Sequence, residues 1–274
     1  MNLHDDLLGV RAVAFDVDGT LAGGDHRVSP RTLQALADLR AAGVEPIIVT
    51  GRIVGSATAI LADAGIDGYA VASNGAVAVD TRDPDPLHAA VMDPDEAQAV
   101  VAFCEGRAVE PSLFTVDTMV VEEGSVVHDL LVRADPTAPT RAVPPGELPF
   151  TAATKACIFG EPATLDALDG EIRAKFPRMV RSMDTAFEMS AAGADKWVAL
   201  SAILERIGIP PERCAGIGDG ENDVVWLSRV GFPVAMGNAR EPVREVARLE
   251  IGHHADEAVA ELVEALLRAR AAAR

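Results

Sequence analysis

The sequence predicts a doubly wound, Rossmann-like α/β core with a parallel sheet, interrupted by an inserted α+β domain. Three features carry that expectation. Apolar runs ending in a polar residue alternate with amphipathic helical stretches over the first eighty or so residues, the alternation stops at Asp83-Pro84-Asp85-Pro86, and it resumes after Ala191-Ala192-Gly193. Alternating strands and helices imply a sheet covered on both faces. The expected domains are 1–82 plus 188–274 for the core and 83–187 for the insertion.

Each element has a local cause. Residues 10–15 read as the first strand, ending at Asp16, and residues 44–49 as the second, ending at Thr50. Between them Ser29 is placed to cap a helix and Pro30 fits its first position. Leu33, Leu36, Ala37 and Leu39 form the apolar stripe of this helix, and Gly43 stops it. A helix over about 54–64 closes at Gly65, a strand follows at 69–73, and Asn74-Gly75 signals a tight turn into a strand at 76–79. The insertion mixes helices with strand pairs and a turn-rich stretch at 135–149. Its first helix starts with Asp93 as N-cap and Pro94 next, with Glu96 placed for a capping box. The core then resumes with a helix over about 196–206, a strand near 214–217, a helix after Gly220 and a short strand at 232–235. An amphipathic helix from about Asp256 ends the chain, with residues 268–274 expected to fray.

Composition excludes several function classes. The chain has 274 residues, 49% of them hydrophobic, which is ordinary for a globular protein and allows one large or two medium domains. Its 42 acidic against 24 basic residues leave a formal charge of −18, which opposes the phosphate contacts that drive nucleic-acid binding. No apolar run approaches the roughly 18 residues of a membrane span. The start Met-Asn-Leu-His-Asp-Asp is acidic where a signal peptide is basic, so a cytoplasmic protein is expected, with neither nucleic acid nor membrane as partner. Cys104, Cys157 and Cys214 share no metal or redox spacing and read as buried thiols. An anionic substrate would be repelled by the net field, so a local cation has to reverse its sign at the site.

Four segments fall where an α/β fold puts ligands, at the carboxyl ends of strands or the amino ends of helices: Asp16-Val17-Asp18-Gly19-Thr20, Thr50-Gly51-Arg52, Lys196, and Gly218-Asp219-Gly220-Glu221-Asn222-Asp223. Each alone has a plain structural reading as a turn, a cap or a solvated side chain. Their joint occurrence in this order resembles the haloacid-dehalogenase superfamily of phosphohydrolases. Placement of the insertion between the second segment and the Lys is similar to the class IIB group that includes the Cof-type sugar phosphatases. Ser73-Asn74-Gly75-Ala76, Phe187-Glu188-Met189 and Met236-Gly237-Asn238-Ala239 match as well. One departure is Trp197, where the family usually has Gly after the Lys, and the interior of the insertion matches only loosely.

The chemistry follows from the residue types. A carboxylate held at the end of a buried strand can attack phosphorus in line and form an aspartyl phosphate, and Asp16 is that candidate nucleophile. Asp18, two residues on, can protonate the leaving oxygen and later take a proton from water, a role that favours a raised pKa. The resemblance supports this role, because ATPase relatives that keep the phosphoenzyme lack an acid there. Thr50, with Gly51, supplies a neutral donor for a phosphate oxygen, and Lys196 a point charge. Arg52 either contributes or forms a surface ion pair. The resemblance implies Mg²⁺ held by Asp16, Asp219 and the Asp18 carbonyl. It places Asp223 behind the metal's water shell and Asn222 at the phosphate or the Lys. The inserted domain is expected to act as a lid and to choose the substrate, a small phosphorylated metabolite with sugar phosphates first. A monomer or weak homodimer is expected. Alternatives are a hexose phosphate phosphomutase and a non-catalytic sugar-phosphate binding protein. Gly216-Ile217-Gly218-Asp219-Gly220 is a poor dinucleotide fingerprint, and His253-His254 reads as solvated rather than metal-binding. Lys155 resembles a Lys-bearing strand of the family's insertion, although a solvent-facing strand Lys accounts for it equally.

Overall fold

A computed structural model describes residues 5–24, 26–134 and 139–273. Residues 1–4 of the chain start, residues 135–138 of the expected turn-rich stretch and Arg274 lie outside the described residues. The chain divides into two compact units, one of Met1–Arg52, Ala57–His88 and Asp195–Arg274, the other of Ile53–Ser56 and Ala89–Ala194. The breaks fall a few residues beyond 82 and 187 because Phe187 and Glu188 belong to a strand, Ala186–Ser190, of the second unit's sheet.

The first unit is built on an eight-stranded sheet in the order Leu249–Glu250, Phe232–Ala235, Cys214–Gly218, Ala12–Phe15, Glu45–Val49, Tyr69–Ala72, Val77–Asp80 and His88–Ala89. Its first six strands run parallel. Val77–Asp80 folds back antiparallel on Tyr69–Ala72, as the Asn74-Gly75 turn predicts. Ala12–Phe15 is buried along its whole length, which is why it reads as a continuous apolar run rather than an alternating one. Strands after Ala12–Phe15 are added on one side and those after Cys214–Gly218 on the other. The crevice at the carboxyl ends of these two neighbours is therefore the switch point where ligands bind in open α/β sheets.

Helix Pro30–Ala41 begins as expected, with the Ser29 hydroxyl accepting from the Thr32 N–H, and it buries Ala35, Leu36 and Leu39. Each large buried side chain contributes roughly 1.5–3 kcal/mol. This helix packs on the C-terminal helix Ala258–Ala272, and Arg31 pairs with Glu264 across them. Within the stretch expected to fray the helix continues to Ala272, and Arg270 donates to the Val10 carbonyl of the core. Helices Asp5–Leu8 and Glu241–Val246 and the two-residue edge strands are too short to leave a periodic signal.

The turn at Asn74-Gly75 is tighter than a simple hairpin. Ser73, Asn74 and Gly75 all have positive φ, and a Cβ on Gly75 would lie 2.1 Å from the Asp195 carbonyl carbon. The start of helix Lys196–Arg206, capped by Asp195, thus rests on a backbone that only glycine allows. Gly75→Ala is expected to lower stability by at least about 2 kcal/mol, the sum of left-handed strain and displacement of that helix start. Urea unfolding with an unshifted midpoint would contradict this close approach.

The second unit holds a six-stranded sheet in the order Val180–Met183, Ala186–Ser190, Lys155–Gly160, Val109–Phe114, Met119–Glu122 and Thr140–Val143. The first five strands are antiparallel to one another along the sheet, and the last pair, Met119–Glu122 with Thr140–Val143, is parallel. The last strand forms within the stretch expected to be turns, even though Arg141 and Ala142 on it are exposed, because backbone pairing with Met119–Glu122 does not need an apolar pattern. Ala156 and Ile158 join Val100, Leu165 and Phe187 in one core, while Cys157 and Phe159 join Phe114, Val121 and Leu131 in another. The strand between them is buried on both faces, with its side chains alternating between the two cores. Asp93 caps helix Pro94–Cys104 through the Asp95 N–H. The capping box expected from Glu96 does not form, and Glu96 pairs with Arg178 instead. Lys155 does not face solvent: it is buried, 3.4 Å from Glu188 and over the Phe114 ring.

Candidate active site

All four segments come together in the first unit at the switch point. Asp16 follows Phe15, its N–H donating to the Ile217 carbonyl at 2.9 Å, so its side chain leaves the sheet beside the end of Cys214–Gly218. Thr50 follows Glu45–Val49, and its buried hydroxyl oxygen accepts from the Arg52 N–H, leaving the hydroxyl proton free to donate. Gly51 passes under Asn74, whose Oδ1 would lie 2.9 Å from a Cβ there. Asn222 is exposed, with its Nδ2 at 3.5 Å from Asn74 Oδ1.

Lys196 lies in the first turn of its helix and bridges two carboxylates. Its Nζ stands 2.8 Å from Asp16 Oδ1 and 2.7 Å from Asp223 Oδ1, with all three side chains buried. Burial disfavours its charge, but the two carboxylates outweigh burial and hold the ammonium above its ordinary value. Trp197 lies beside Arg229, its ring centroid 5.7 Å from the guanidinium carbon, and its N–H donates to Asp195.

Asp223 is more thoroughly committed than a residue that only orders metal-bound water. Its Oδ1 accepts from Lys196 Nζ and from Trp226 Nε1 at 3.0 Å, and its Oδ2 accepts from the backbone N–H groups of Asp219 and Gly220. Four donors fill its lone pairs. Trp226, three residues on and fully buried, is a partner of the candidate site that its sequence context does not single out. The i, i+3 spacing from Asp223 is its signal, but a Trp in an apolar stretch reads first as core.

The carboxylates outnumber the cations. Burial, then the charge of Asp223, push Asp16 up to about 8 despite Lys196, and the same two causes push Asp219 up to about 6. Asp16, Asp219 and Asp223 each offer an oxygen within 4.8 Å of the others. At about 4 Å a like-charge pair opposes by roughly 4 kcal/mol at an effective dielectric near 20, which one ammonium cannot offset for three carboxylates. An all-oxygen donor set with unneutralised charge fits a hard divalent cation. Because Asp223 is saturated, Asp16 and Asp219 are the side chains left to hold it.

Asp18 departs from expectation. Its carboxylate receives Arg52 Nε at 3.0 Å and Nη2 at 2.6 Å, and it lies 3.0 Å from His26 Nδ1. Burial pushes this carboxyl up, but the hydrogen bonds and charge of Arg52, with help from His26, outweigh burial and leave it below the ordinary carboxylate range. The raised value expected of a proton donor is not found, because Asp18 faces a guanidinium fork. Arg52 is likewise no solvated surface partner: its side chain is 17% exposed. His253 caps a short turn by accepting from the Ala255 N–H, and it joins no metal-binding group among the described residues. All three cysteines are buried free thiols, each pushed up to about 12 by burial. No helix among the described residues is long and apolar enough to cross a membrane.

Comparison with known proteins is consistent with this geometry. The family described as haloacid dehalogenase-like hydrolase matches residues 13–263. An HMP-PP phosphatase of Serratia proteamaculans (strain 568) is 30% identical over 265 residues, covering 94% of this chain and 96% of that one. A haloacid dehalogenase-like hydrolase from Bacteroides thetaiotaomicron superposes with a TM-score of 0.85 at 22% identity, over 94% of this chain and 99% of that one. The HAD subclass IIB sugar phosphatase BT4131 superposes with a TM-score of 0.72 at 22% identity, over 93% and 98% of the two chains.

Proposed function

The chain belongs to the haloacid dehalogenase-like hydrolases as a phosphoric monoester hydrolase, and from that premise we propose that it is a Mg²⁺-dependent phosphatase of small phosphorylated metabolites acting through an aspartyl phosphate on Asp16. The observation that carries the reading is the buried contact of Lys196 with Asp16 and Asp223, at the switch point and beside Asp219.

Lys196 fixes one Asp16 oxygen and so orients the carboxylate for in-line attack on phosphorus. Thr50 and the backbone at Gly51 donate to the phosphoryl oxygens, with Asn222 at the rim. Asp16, Asp219 and the Asp18 carbonyl hold the Mg²⁺, which when bound neutralises the facing charges of carboxylate and phosphate. Asp18 protonates the departing alcohol and then accepts the proton of the water that hydrolyses the phosphoenzyme. It first has to leave the Arg52 fork and take up a proton from solvent, and the arriving phosphate both supplies the competing anion for that guanidinium and favours the protonated carboxyl beside it. The inserted segment, residues 83–187, is the domain that selects the substrate. Sugar phosphates are the first class, in line with the name of the subclass IIB neighbour, and HMP-PP is the second, favoured by the name of the Serratia relative. A cytoplasmic setting suits three free thiols.

The test is phosphate release from a panel of sugar phosphates, HMP-PP, nucleotides and an aryl phosphate, with Mg²⁺ and with chelator. Release that needs Mg²⁺ is expected, with one class preferred. Folded protein that binds Mg²⁺ and releases phosphate from no member would overturn the reading and favour a mutase, which retains the phosphoryl group, or a binder.

A further inference from the structure

The segment Met236-Gly237-Asn238-Ala239 carries no group that the reaction above uses, but it is tied directly to the site. Met236 N–H donates to the Gly218 carbonyl at 3.1 Å and Arg240 N–H to the Asp219 carbonyl at 2.9 Å, which pins the loop after strand Phe232–Ala235 alongside Asp219. From that loop the Asn238 side chain makes three hydrogen bonds to three other parts of the chain. Its Nδ2 donates to the Gly19 carbonyl at 2.8 Å and to Asp219 Oδ2 at 3.1 Å, and its Oδ1 accepts from the His254 N–H at 3.1 Å.

The chemistry of that position is restrictive. Gly19, with φ +82°, approaches Asp219 so closely that a Cβ on it would lie 2.2 Å from Asp219 Oδ2. A backbone carbonyl and a carboxylate, both acceptors, are therefore crowded together one residue beyond Asp18. Only a group with two donor protons can serve both at once. Both protons of the Asn238 amide are engaged, and the His254 N–H on Oδ1 determines which end of the amide faces them. A carboxylate at 238 would add a third acceptor, and an alkyl side chain would add no donor.

We propose that Asn238 is a positioning residue for the cation site: its amide locks the Asp219 carboxylate and the Gly19 loop into one arrangement, which a divalent cation then meets already organised. This rests on the reading of Asp16 and Asp219 as cation ligands. Partners that orient a metal's ligands typically contribute about 10–100-fold in metal affinity.

The experiment is isothermal titration of the full chain with Mg²⁺ alone, without substrate, on wild type, Asn238→Leu and Asn238→Ser. Leucine keeps the branched shape, at somewhat larger volume, and removes all three hydrogen bonds, and serine keeps one donor of shorter reach. Weakening of Mg²⁺ binding by about 10–100-fold in the Leu variant, with a smaller loss in the Ser variant, is the expected result. A cooperatively folded Leu variant that binds Mg²⁺ within twofold of wild type overturns the proposal and leaves Asn238 as a loop clamp. Should the Leu variant fail to fold, the Ser variant decides by the same twofold criterion. Wild type that binds no Mg²⁺ overturns the cation reading itself, so the two failures are distinguishable.

Discussion

Asp16→Asn is expected to abolish turnover, by at least about 10⁴-fold in kcat, while leaving a folded protein. Asparagine keeps the shape of the side chain and an oxygen for Lys196 but cannot form the acyl phosphate. The same substitution gives a second readout that does not depend on activity. Asp16 is raised to about 8 in the folded chain by burial and by Asp223, against an ordinary value of 3.8. Between those limits the folded state binds more protons than the unfolded state. Wild type in chelator should accordingly lose stability as pH rises from about 4 to about 8, and Asp16→Asn should flatten that slope. Denaturant unfolding of both proteins at several pH values measures it. Equal slopes would show that the Asp16 carboxylate is not destabilised by its surroundings, and residual turnover near wild type would remove it as the nucleophile.

Lys196→Met is expected to damage both stability and rate. Removing one partner of a buried ionic group costs about 3–5 kcal/mol, because the remaining charges lose their compensation without regaining water. Here two carboxylates, Asp16 and Asp223, depend on one Nζ. The loss should be smaller at pH 5 than at pH 8, since Asp16 can take up a proton in place of the missing ammonium. In the folded fraction kcat should fall by roughly 10²–10³, the usual effect of deleting one group that stabilises transition-state charge. Urea unfolding in chelator at the two pH values, with single-substrate kinetics under Mg²⁺, separates the effects. A variant as stable as wild type at pH 8 would mean that Lys196 does not compensate the buried pair.

Those residues were legible in the sequence because their signals are local. Asp16 and Thr50 each follow an apolar run, Lys196 opens a helix capped by Asp195, and Asp219 follows the run that ends at Gly218. Helix Pro30–Ala41 was legible in the same way, from Ser29 and Pro30. Partners that lie far apart in the chain were not. Arg52 and Asp18 are 34 residues apart and Asn238 and Gly19 are 219 apart, so no periodicity or spacing rule pairs them. Lys155 had equal support as a solvated lysine, and only the register of Lys155–Gly160 against Ala186–Ser190 puts Glu188 beside it. Glu96 has the spacing to reach back to the Asp93 backbone N–H in a capping box, but its carboxylate pairs with the Arg178 guanidinium, a charged donor that lies far along the chain.

The sequence by itself determined the longer strands and helices of the core, their order, and which of them end in chemically capable side chains, since these follow from hydrophobic period, caps and turn residues within a few positions of one another. Only the tertiary structure decided which charges meet: that Asp223 is saturated by Lys196, Trp226 and two backbone amides, that Asp18 faces Arg52, and that Asn238 joins Gly19 to Asp219. The reason is physical. Secondary structure is set by short-range backbone and hydrophobic preferences, whereas the ionisation of a buried carboxylate depends on every charge and donor within a few ångströms, whatever its place in the chain.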